Sequence, residues 1–362
     1  MRKNLFLAII ILLGSLLFAE TITLEYEFAD HVIKTYNNYQ AIQFENTVQN
    51  GILGEPILPY KGLKVLLPQG EDAASIKITG QNKTLVSDEI VLLPTQPQYA
   101  LSTEIKPQFI EAVSPVYTED HIYPEDACYN LSTHYLSGFS LGFASFTPVE
   151  YNPVQNEISY YKKVIVEIET KPSASAEESH KYLHNSDKLV NYVTSNVENF
   201  DYLGSYDLNS LRTDTIDYLL ITDQSKVDEW QPLADIYANR GLFTEIETVQ
   251  NILSNFDGAD SQEKIRNYLI DMYMNYEIRY VLLAGDVDVI PYRGFYGTVN
   301  NGGEVDYGIP SDMYYCCLDG NWNEDGDDKW GEPEESDLTP EFALGRFCYN
   351  KNQENRDYIN KV

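Results

Sequence analysis

From Ile216 to Ala284 the apolar residues change period again and again, and this alternation constrains the fold more than any other feature of the chain. Ile216–Thr222 is a continuous apolar run of strand length. Val227, Trp230, Ala234 and Tyr237 then fall at helical spacing, and Gly241 closes that helix. Phe243–Val249 reads as a second strand. Asp260 or Ser261 caps a second helix, whose apolar face carries Ile265, Leu269, Met272 and Tyr276. Tyr280–Ala284 is a third strand, short, apolar and rich in β-formers, as buried parallel strands are. Strand–helix–strand–helix–strand calls for right-handed crossovers and a parallel sheet. The third strand ends on Gly285-Asp286. Chemistry in open α/β sheets collects beyond the carboxyl ends of the strands, so Asp286 is placed to hold a metal or orient a ligand, or else merely caps a turn. Phe342–Phe347 looks like one more strand, and a helix starts at Asn350. The chain stops inside that helix, so the α/β region reads as cut short.

The grammar before Ile216 differs. Ile22, Leu24, Tyr26 and Phe28 alternate with Thr23, Glu25 and Glu27, the period of a half-buried strand. Ile76 and Ile78 repeat it, as do Val164, Val166 and Ile168, with turn residues such as Gly51, Pro59, Gly70, Pro94 and Pro115 between. Many short strands so punctuated predict an antiparallel sandwich or barrel. The expected organisation is a β-rich N-terminal domain over residues 20–170, a linker or processing segment over 171–215, and an α/β parallel-sheet domain over 216–362. The linker is inferred from Lys171–Ser179 and the polar stretch that follows it.

The first residues are a targeting segment. Arg2 and Lys3 precede an apolar run from Leu5 to Phe18, with Ala19 at the cleavage point. Residues 1–19 are therefore expected to be a removed signal peptide, and no later stretch is long and apolar enough to span a membrane. The mature protein is expected to be secreted or held at the cell surface. The net charge of −31 argues against nucleic acid and anionic membrane surfaces as partners and favours divalent cations. Four cysteines, Cys128, Cys316, Cys317 and Cys348, make no disulfide scaffold. Cys316 and Cys317 lie in a Tyr-Tyr-Cys-Cys-Leu run that reads as a buried strand.

Glu304–Glu341 holds thirteen acidic residues against a single base, Lys329. Counted from Asn321, oxygen ligands fall at positions 1, 3, 5, 7 and 12, namely Asn321, Asn323, Asp325, Asp327 and Glu332, with Gly326 at position 6. That is the spacing of a calcium loop without the flanking helices of an EF-hand. The alternative is a solvated acidic loop. Ca²⁺ is the expected cofactor; no His or Cys pattern suits zinc.

The second half resembles the gingipain family of cysteine peptidases. The residues that carry the likeness are Asp217–Thr222, the Trp230 helix ending Asn239-Arg240-Gly241, Val281–Asp286 with Ile290-Pro291, Ser311-Asp312 with Tyr314-Tyr315, and Ala343–Arg346. The first half, with Gly54-Glu55-Pro56 and Leu58-Pro59, is similar to that family's propeptide. The resemblance implies a caspase-like fold, a propeptide–catalytic domain contact, and protein or peptide substrates for the full-length form. It also implies calcium ligands at Asp286, Asp319, Asp337, Thr339 (by its carbonyl) and Glu341. Arg212, four residues before the first α/β strand, is the candidate site of an activating cut.

In that family a His–Cys dyad supplies the chemistry, on strands after the Gly-Arg strand. Here the histidines are His31, His121, His134, His180 and His184, all in the first half. Cys348 follows Arg346 by two residues and has no local His. The expectation is a secreted cysteine endopeptidase precursor whose catalytic pair is absent from this chain, so that the chain by itself is inactive. The alternative is a non-enzymatic calcium-stabilised surface or adhesin protein on the same fold.

Overall fold

The computed structural model describes residues 20–87, 89–97, 108–208, 216–276, 278–299, 304–333, 335–348 and 351–362. The expected signal peptide, residues 1–19, lies outside them. The first half supplies β1 (Thr21–Glu27), β2 (His31–Tyr36), β3 (Tyr39–Phe44), β4 (Val48–Asn50), β5 (Leu58–Leu66), β6 (Glu71–Ser87), β7 (Cys128–Leu136), β8 (Phe139–Phe146), β9 (Val149–Asn152) and β10 (Glu157–Pro172). One sheet runs β1-β10-β6 with β9 also on β10, a second runs β4-β5-β8-β7, and β2-β3 form a ribbon.

The alternation read in the sequence becomes cross-strand layers. Ile22 faces Ile168 and Ile168 faces Ile76, while Leu24 faces Val166 and Val166 faces Ile78. Directly opposed apolar pairs are the unit of sheet stabilisation. These residues share one core with Leu58, Leu63, Val65 and Phe146 of the second sheet, giving the expected β-rich, two-sheet arrangement.

Leu136 pairs with Phe139, so β7 and β8 are joined by the two residues Ser137 and Gly138. Both have positive φ, 51° and 86°, as a type I′ hairpin demands. A Cβ on Gly138 would lie 2.6 Å from the Leu183 nitrogen, so both its conformation and its close approach require glycine.

The expected linker over 171–215 is corrected as far as residue 208. β10 runs on to Pro172, and Ser173 caps α1 (Ala174–Ser179) by accepting the Ala176 N–H. α2 (Asp187–Asn196) and a 3₁₀ turn at Asp201–Ser205 follow. Leu183, Val193 and Tyr206 pack on Leu66, Leu136, Phe139 and Leu141 of the second sheet. The Asn199 side chain closes both backbone groups of Leu66, accepting its N–H at 2.8 Å and donating to its carbonyl at 3.1 Å. A segment polar in composition is folded because its few apolar residues fall on one face. Residues 209–215 lie outside the described set.

The second half supplies β11 (Tyr218–Thr222), α3 (Val227–Asn239), β12 (Thr244–Thr248), α4 (Val249–Asn255), α5 (Ser261–Asn275), β13 (Tyr280–Ala284), β14 (Arg293–Val299), β15 (Glu304–Ser311), α6 (Met313–Cys316), β16 (Ala343–Phe347) and α7 (Asn352–Ile359). Four strands form an all-parallel sheet in the order β12-β11-β13-β16. Alternate residues serve opposite faces. Leu219, Ile221, Val281 and Leu283 pack with α4 and α5, while Tyr218, Leu220, Leu282 and Ala284 pack with α3 and Ile359 of α7. Covering on both faces explains why these strands read as unbroken apolar runs.

Two local readings change. Tyr314, Tyr315 and Cys316 are buried as expected, but in the short helix α6 rather than a strand; a run of aromatic residues is apolar in either conformation. The last helix closes at Ile359, with Asn360 as its C-cap, rather than running through the final residue. Among the described residues no helix is long and apolar enough to cross a membrane.

Candidate metal centre

A buried arginine, Arg266, and a half-buried one, Arg346, shape the region that holds the acidic insert, and neither was singled out as a scaffold from the sequence. Arg266 on α5 is 3 % exposed. It donates to the carbonyls of Tyr314, Cys317 (2.5 Å), Leu318 (2.9 Å), Asp319 (3.2 Å) and Gly320 (3.0 Å). One guanidinium thus satisfies the carbonyls of α6 and of the turn that opens the insert. Arg346 on β16 holds Asp312 with two bonds, Nε to Oδ2 at 2.7 Å and an Nη to Oδ1 at 2.6 Å. It also donates to the Ile290 carbonyl at 2.6 Å and the Gly285 carbonyl at 3.3 Å. The separate motifs around Gly285, Ile290, Asp312 and Arg346 are therefore parts of one polar network.

The loop from Asn321 to Glu332 is the first candidate site. Asp325, Asp327 and Glu332 bring carboxylate oxygens within 4.8 Å of one another, the group among the described residues that could hold a metal ion. The chain turns there through successive side-chain caps. Asn321 Oδ1 accepts the Asn323 N–H, Asp325 Oδ1 the Asp327 N–H and Asp327 Oδ1 the Lys329 N–H. Gly326 takes φ +72°, the left-handed conformation that position 6 needs. Positions 5, 7 and 12 of the expected pattern converge. At positions 1 and 3, Asn321 Oδ1 accepts the Asn323 amide and Asn323 donates through its side-chain amide to the Asp327 carbonyl. Asn323 Oδ1 and Glu335 Oε2 are buried without a hydrogen-bond partner. Glu335, not predicted, accepts the Glu324 and Asp325 N–H groups and so braces the loop. Lys329 Nζ lies 3.1 Å from Asp327 and 3.4 Å from Glu332, and that pairing raises its pKa.

Asp319, Asp337 and Glu341 lie elsewhere, against the first half of the chain. Asp337 Oδ2 accepts the Tyr135 N–H at 2.9 Å, and its Oδ1 accepts the Thr339 N–H at 2.9 Å. His134 Nδ1 is 3.4 Å from Asp337. Glu341 accepts the N–H of Ser137 at 3.2 Å and of Leu318 at 2.6 Å. The β7–β8 hairpin thus docks its backbone donors on two carboxylates of the α/β half, and the buried Tyr182 hydroxyl reaches the Leu318 carbonyl at 3.0 Å beside them. Burial, then the Asp337 charge, pushes the Asp319 pKa up to about 6; burial and Asp319 push that of Glu341 well above the carboxylate range.

Asp286 sits in the turn after β13. Its Oδ1 accepts the Val287 N–H, and its carbonyl accepts those of Val289 and Ile290. It is not a member of the carboxylate group in the loop. Thr339 enters the second cluster through its N–H on Asp337. Arg212 lies outside the described residues. Cys348 is exposed at the end of β16. The histidines are engaged in other places: His31 on the rings of Phe44 and Tyr160, His121 near Glu119, His134 on Asp337, His180 near Gln69 and His184 on Tyr273.

Comparison with known proteins follows the same two halves. Residues 21–201, half of the chain, match the C25 propeptide model, and residues 212–362 match peptidase family C25. Among solved structures the chain is similar to the complex of the RgpB pro- and mature domains of Porphyromonas gingivalis. That likeness has a TM-score of 0.36 and 19 % identity over 44 % of this chain and 84 % of that one. It is also similar to gingipain K of Porphyromonas gingivalis, solved for its zymogenic latency, with TM-score 0.36 and 15 % identity over 42 % of this chain and 88 % of that one. A third is dimeric latent PorU of Porphyromonas gingivalis, with TM-score 0.29 and 10 % identity over 94 % of this chain and 35 % of that one. No curated protein matches the chain. The chain belongs to peptidase family C25, the gingipain-type cysteine peptidases, and carries that family's propeptide ahead of its peptidase sequence.

Proposed function

We propose that this chain is the proform of an exported, calcium-binding cysteine endopeptidase, with the β-rich half docked as propeptide and the catalytic pair outside residues 1–362. The observation that carries the reading is the union of propeptide and peptidase sequence on one chain, at residues 21–201 and 212–362. The docked hairpin supports it, because Tyr135 and Ser137 of the propeptide half donate to Asp337 and Glu341 of the other. In such an enzyme a His-activated thiolate attacks the scissile carbonyl of a protein or peptide substrate. Cys348 stands exposed and the histidines named above are engaged with other residues, which supports placing the nucleophile elsewhere. Residues 1–19 serve export, and Arg212 is the activating cut.

Calcium suits the Asn321–Glu332 loop on its donors. Three carboxylates lie together; the orphaned Asn323 oxygen lies in the same loop, and that of Glu335 belongs to the residue that braces it. Hard oxygen donors of this kind take Ca²⁺. Asp325, Asp327 and Glu332 would hold the ion, and Lys329 would yield its place as their counter-charge. When bound, the ion supplies charge neutralisation and cross-links the insert.

The test is direct. The chain 1–362 should cleave no member of a broad peptide library, and a thiol-directed peptidyl inhibitor should leave Cys348 unlabelled. Turnover, or selective labelling of Cys348, would refute the placement of the catalytic pair. Calorimetry should show Ca²⁺ binding that weakens when Asp325 and Asp327 are changed to Asn; no binding by the wild-type chain would remove the calcium reading.

A further inference from the structure

Cys316 and Cys317 have no part in the function proposed above, and their placement is unusual for adjacent residues. In a strand their side chains would point to opposite faces. The chain instead leaves α6 between them. Cys316 is the last residue of that helix, and Cys317 turns to φ −95° and ψ 101°, the helical-then-extended bend of a type VIII turn. There the two thiols interact directly, side chain to side chain. The Cys316 S–H donates weakly to the Met313 carbonyl at 3.7 Å, which leaves its sulfur to accept the S–H of Cys317. Cys316 is 5 % exposed and Cys317 is fully buried.

The same turn ties several elements together. The Cys316 carbonyl accepts the Glu341 N–H at 2.9 Å. The Cys317 carbonyl accepts from Arg266 at 2.5 Å and from the Trp322 indole N–H at 3.2 Å. Trp322 is fully buried at φ +66°, and its ring stacks on Phe295 of β14 with centres 4.7 Å apart. A bulky residue holds that conformation only where its surroundings impose it. Any twist of the 316–317 peptide therefore reaches Trp322 through the Cys317 carbonyl.

We propose that Cys316 and Cys317 are a reversible redox site, which a small peroxide closes to a vicinal disulfide and which reports to Trp322. Burial selects the oxidant, because a water-sized peroxide can enter where a bulky disulfide cannot. The Cys316 sulfur, the less buried of the two, attacks one peroxide oxygen. The O–O bond breaks, the thiol proton leaves with the departing hydroxide as water, and Cys316 becomes a sulfenic acid. The Cys317 sulfur then attacks the Cys316 sulfur, the S–O bond breaks, and a second water carries off the Cys317 proton. The two sulfurs give up two electrons and the peroxide takes both. Adjacent Cα atoms are about 3.8 Å apart across a trans peptide, short of the ~4.4 Å where disulfides usually begin, so the ring is strained and readily reduced. Strained disulfides are the labile and regulatory ones. Closing the ring twists the peptide and re-aims the carbonyl that holds Trp322.

The test treats the whole folded chain with hydrogen peroxide, then unfolds, alkylates and digests it with trypsin. The peptide from Gly294 to Lys329 should be lighter by two hydrogens, resist alkylation, and recover both thiols in dithiothreitol. Cys128, whose thiol burial pushes up to about 11, should remain open to alkylation. Tryptophan fluorescence should shift with the same peroxide dose and return on reduction. A Cys316→Ser/Cys317→Ser variant should show no shift. In Cys317→Ser, dimedone should trap a sulfenic acid on Cys316. Two alkylated thiols after peroxide, irreversible oxidation of either, or a disulfide from either to Cys128 or Cys348 overturns the site. A fluorescence shift that persists in the double variant, or none in the oxidised wild type, overturns the link to Trp322. Failure of dimedone to label Cys316 overturns the order of attack. The peptide assay is read on the wild-type chain, so it decides the site even where a variant fails to fold.

Discussion

Replacing Asp260 tests the scaffold that carries the acidic insert. Asp260 is the N-cap of α5, with Oδ1 accepting the Glu263 N–H at 2.8 Å. The same carboxylate takes two bonds from Arg293, at 2.8 and 2.9 Å. Arg293 is 7 % exposed, and its guanidinium lies 3.9 Å from the Trp330 ring centre and 4.5 Å from that of Tyr314. Asp260→Ala therefore removes a cap, worth about 1 kcal/mol, and strands a buried charge. Breaking a fully buried pair costs about 3–5 kcal/mol. The Asp260 side chain is 42 % exposed, so water screens the pair and roughly half of that, ~2 kcal/mol, is the better figure. The sum is about 3 kcal/mol, or roughly 6–12 °C in melting temperature for a unit of this size. Asp260→Asn keeps a capping oxygen and should lose only about 2 kcal/mol. The pH dependence follows from the direction of the shift. Burial alone would raise the Asp260 pKa, but Arg293 and the amides of Glu263 and Gln262 outweigh it and hold the carboxyl below its usual value. A depressed folded pKa contributes stability above the unfolded value, near 4, and that stability is lost as pH falls through the folded value. The wild type should thus exceed Asp260→Asn fully at pH 7 and match it in strong acid. Melts followed by circular dichroism decide the matter. An Asp260→Ala protein melting within about 2 °C of wild type at pH 7 would refute the reasoning.

Gly138→Ala should cost about 2–4 kcal/mol, read from urea midpoints, since it combines a left-handed alanine with a Cβ 2.6 Å from the Leu183 nitrogen; a loss under about 1 kcal/mol would contradict the hairpin geometry. Arg346→Lys should lose about 2–3 kcal/mol, because an ammonium cannot hold Asp312 at two points and still reach the Ile290 carbonyl; unchanged unfolding would show that the fork is dispensable. Trypsin should cut first at Arg212, giving a fragment that begins at Thr213, because Lys171 and Lys188 are held in β10 and α2; first cleavage at either lysine would reverse the corrected boundary of the folded first half.

The sequence by itself determined the elements whose signals are local. Alternation at Ile22–Phe28 and Val164–Ile168 specified strands, and their register follows because a one-residue slip would expose the whole apolar set. The continuous runs at Tyr218–Thr222 and Tyr280–Ala284 specified strands covered on both faces. Gly326, five residues past Asn321, and the carboxylates on either side of it were legible as a loop that gathers oxygen, since ligand spacing within twelve residues is a local property. Other features depended on the folded chain. The polar stretch after Lys171 looked open because its apolar residues are sparse, and only the exposed face of the β5–β8 sheet gave Leu183 and Val193 a surface to bury against. Tyr314–Cys316 became a helix once Arg266, forty-eight residues from Tyr314, collected its carbonyls. The ten predicted ligands divided between a loop, a turn and an interface, and composition could not make that division. Asp337 meets Tyr135 across 202 residues and Glu341 meets Ser137 across 204. No periodicity or motif encodes a contact of that separation. It arises only when two independently built cores are brought together, and burial there changes what a carboxylate can do.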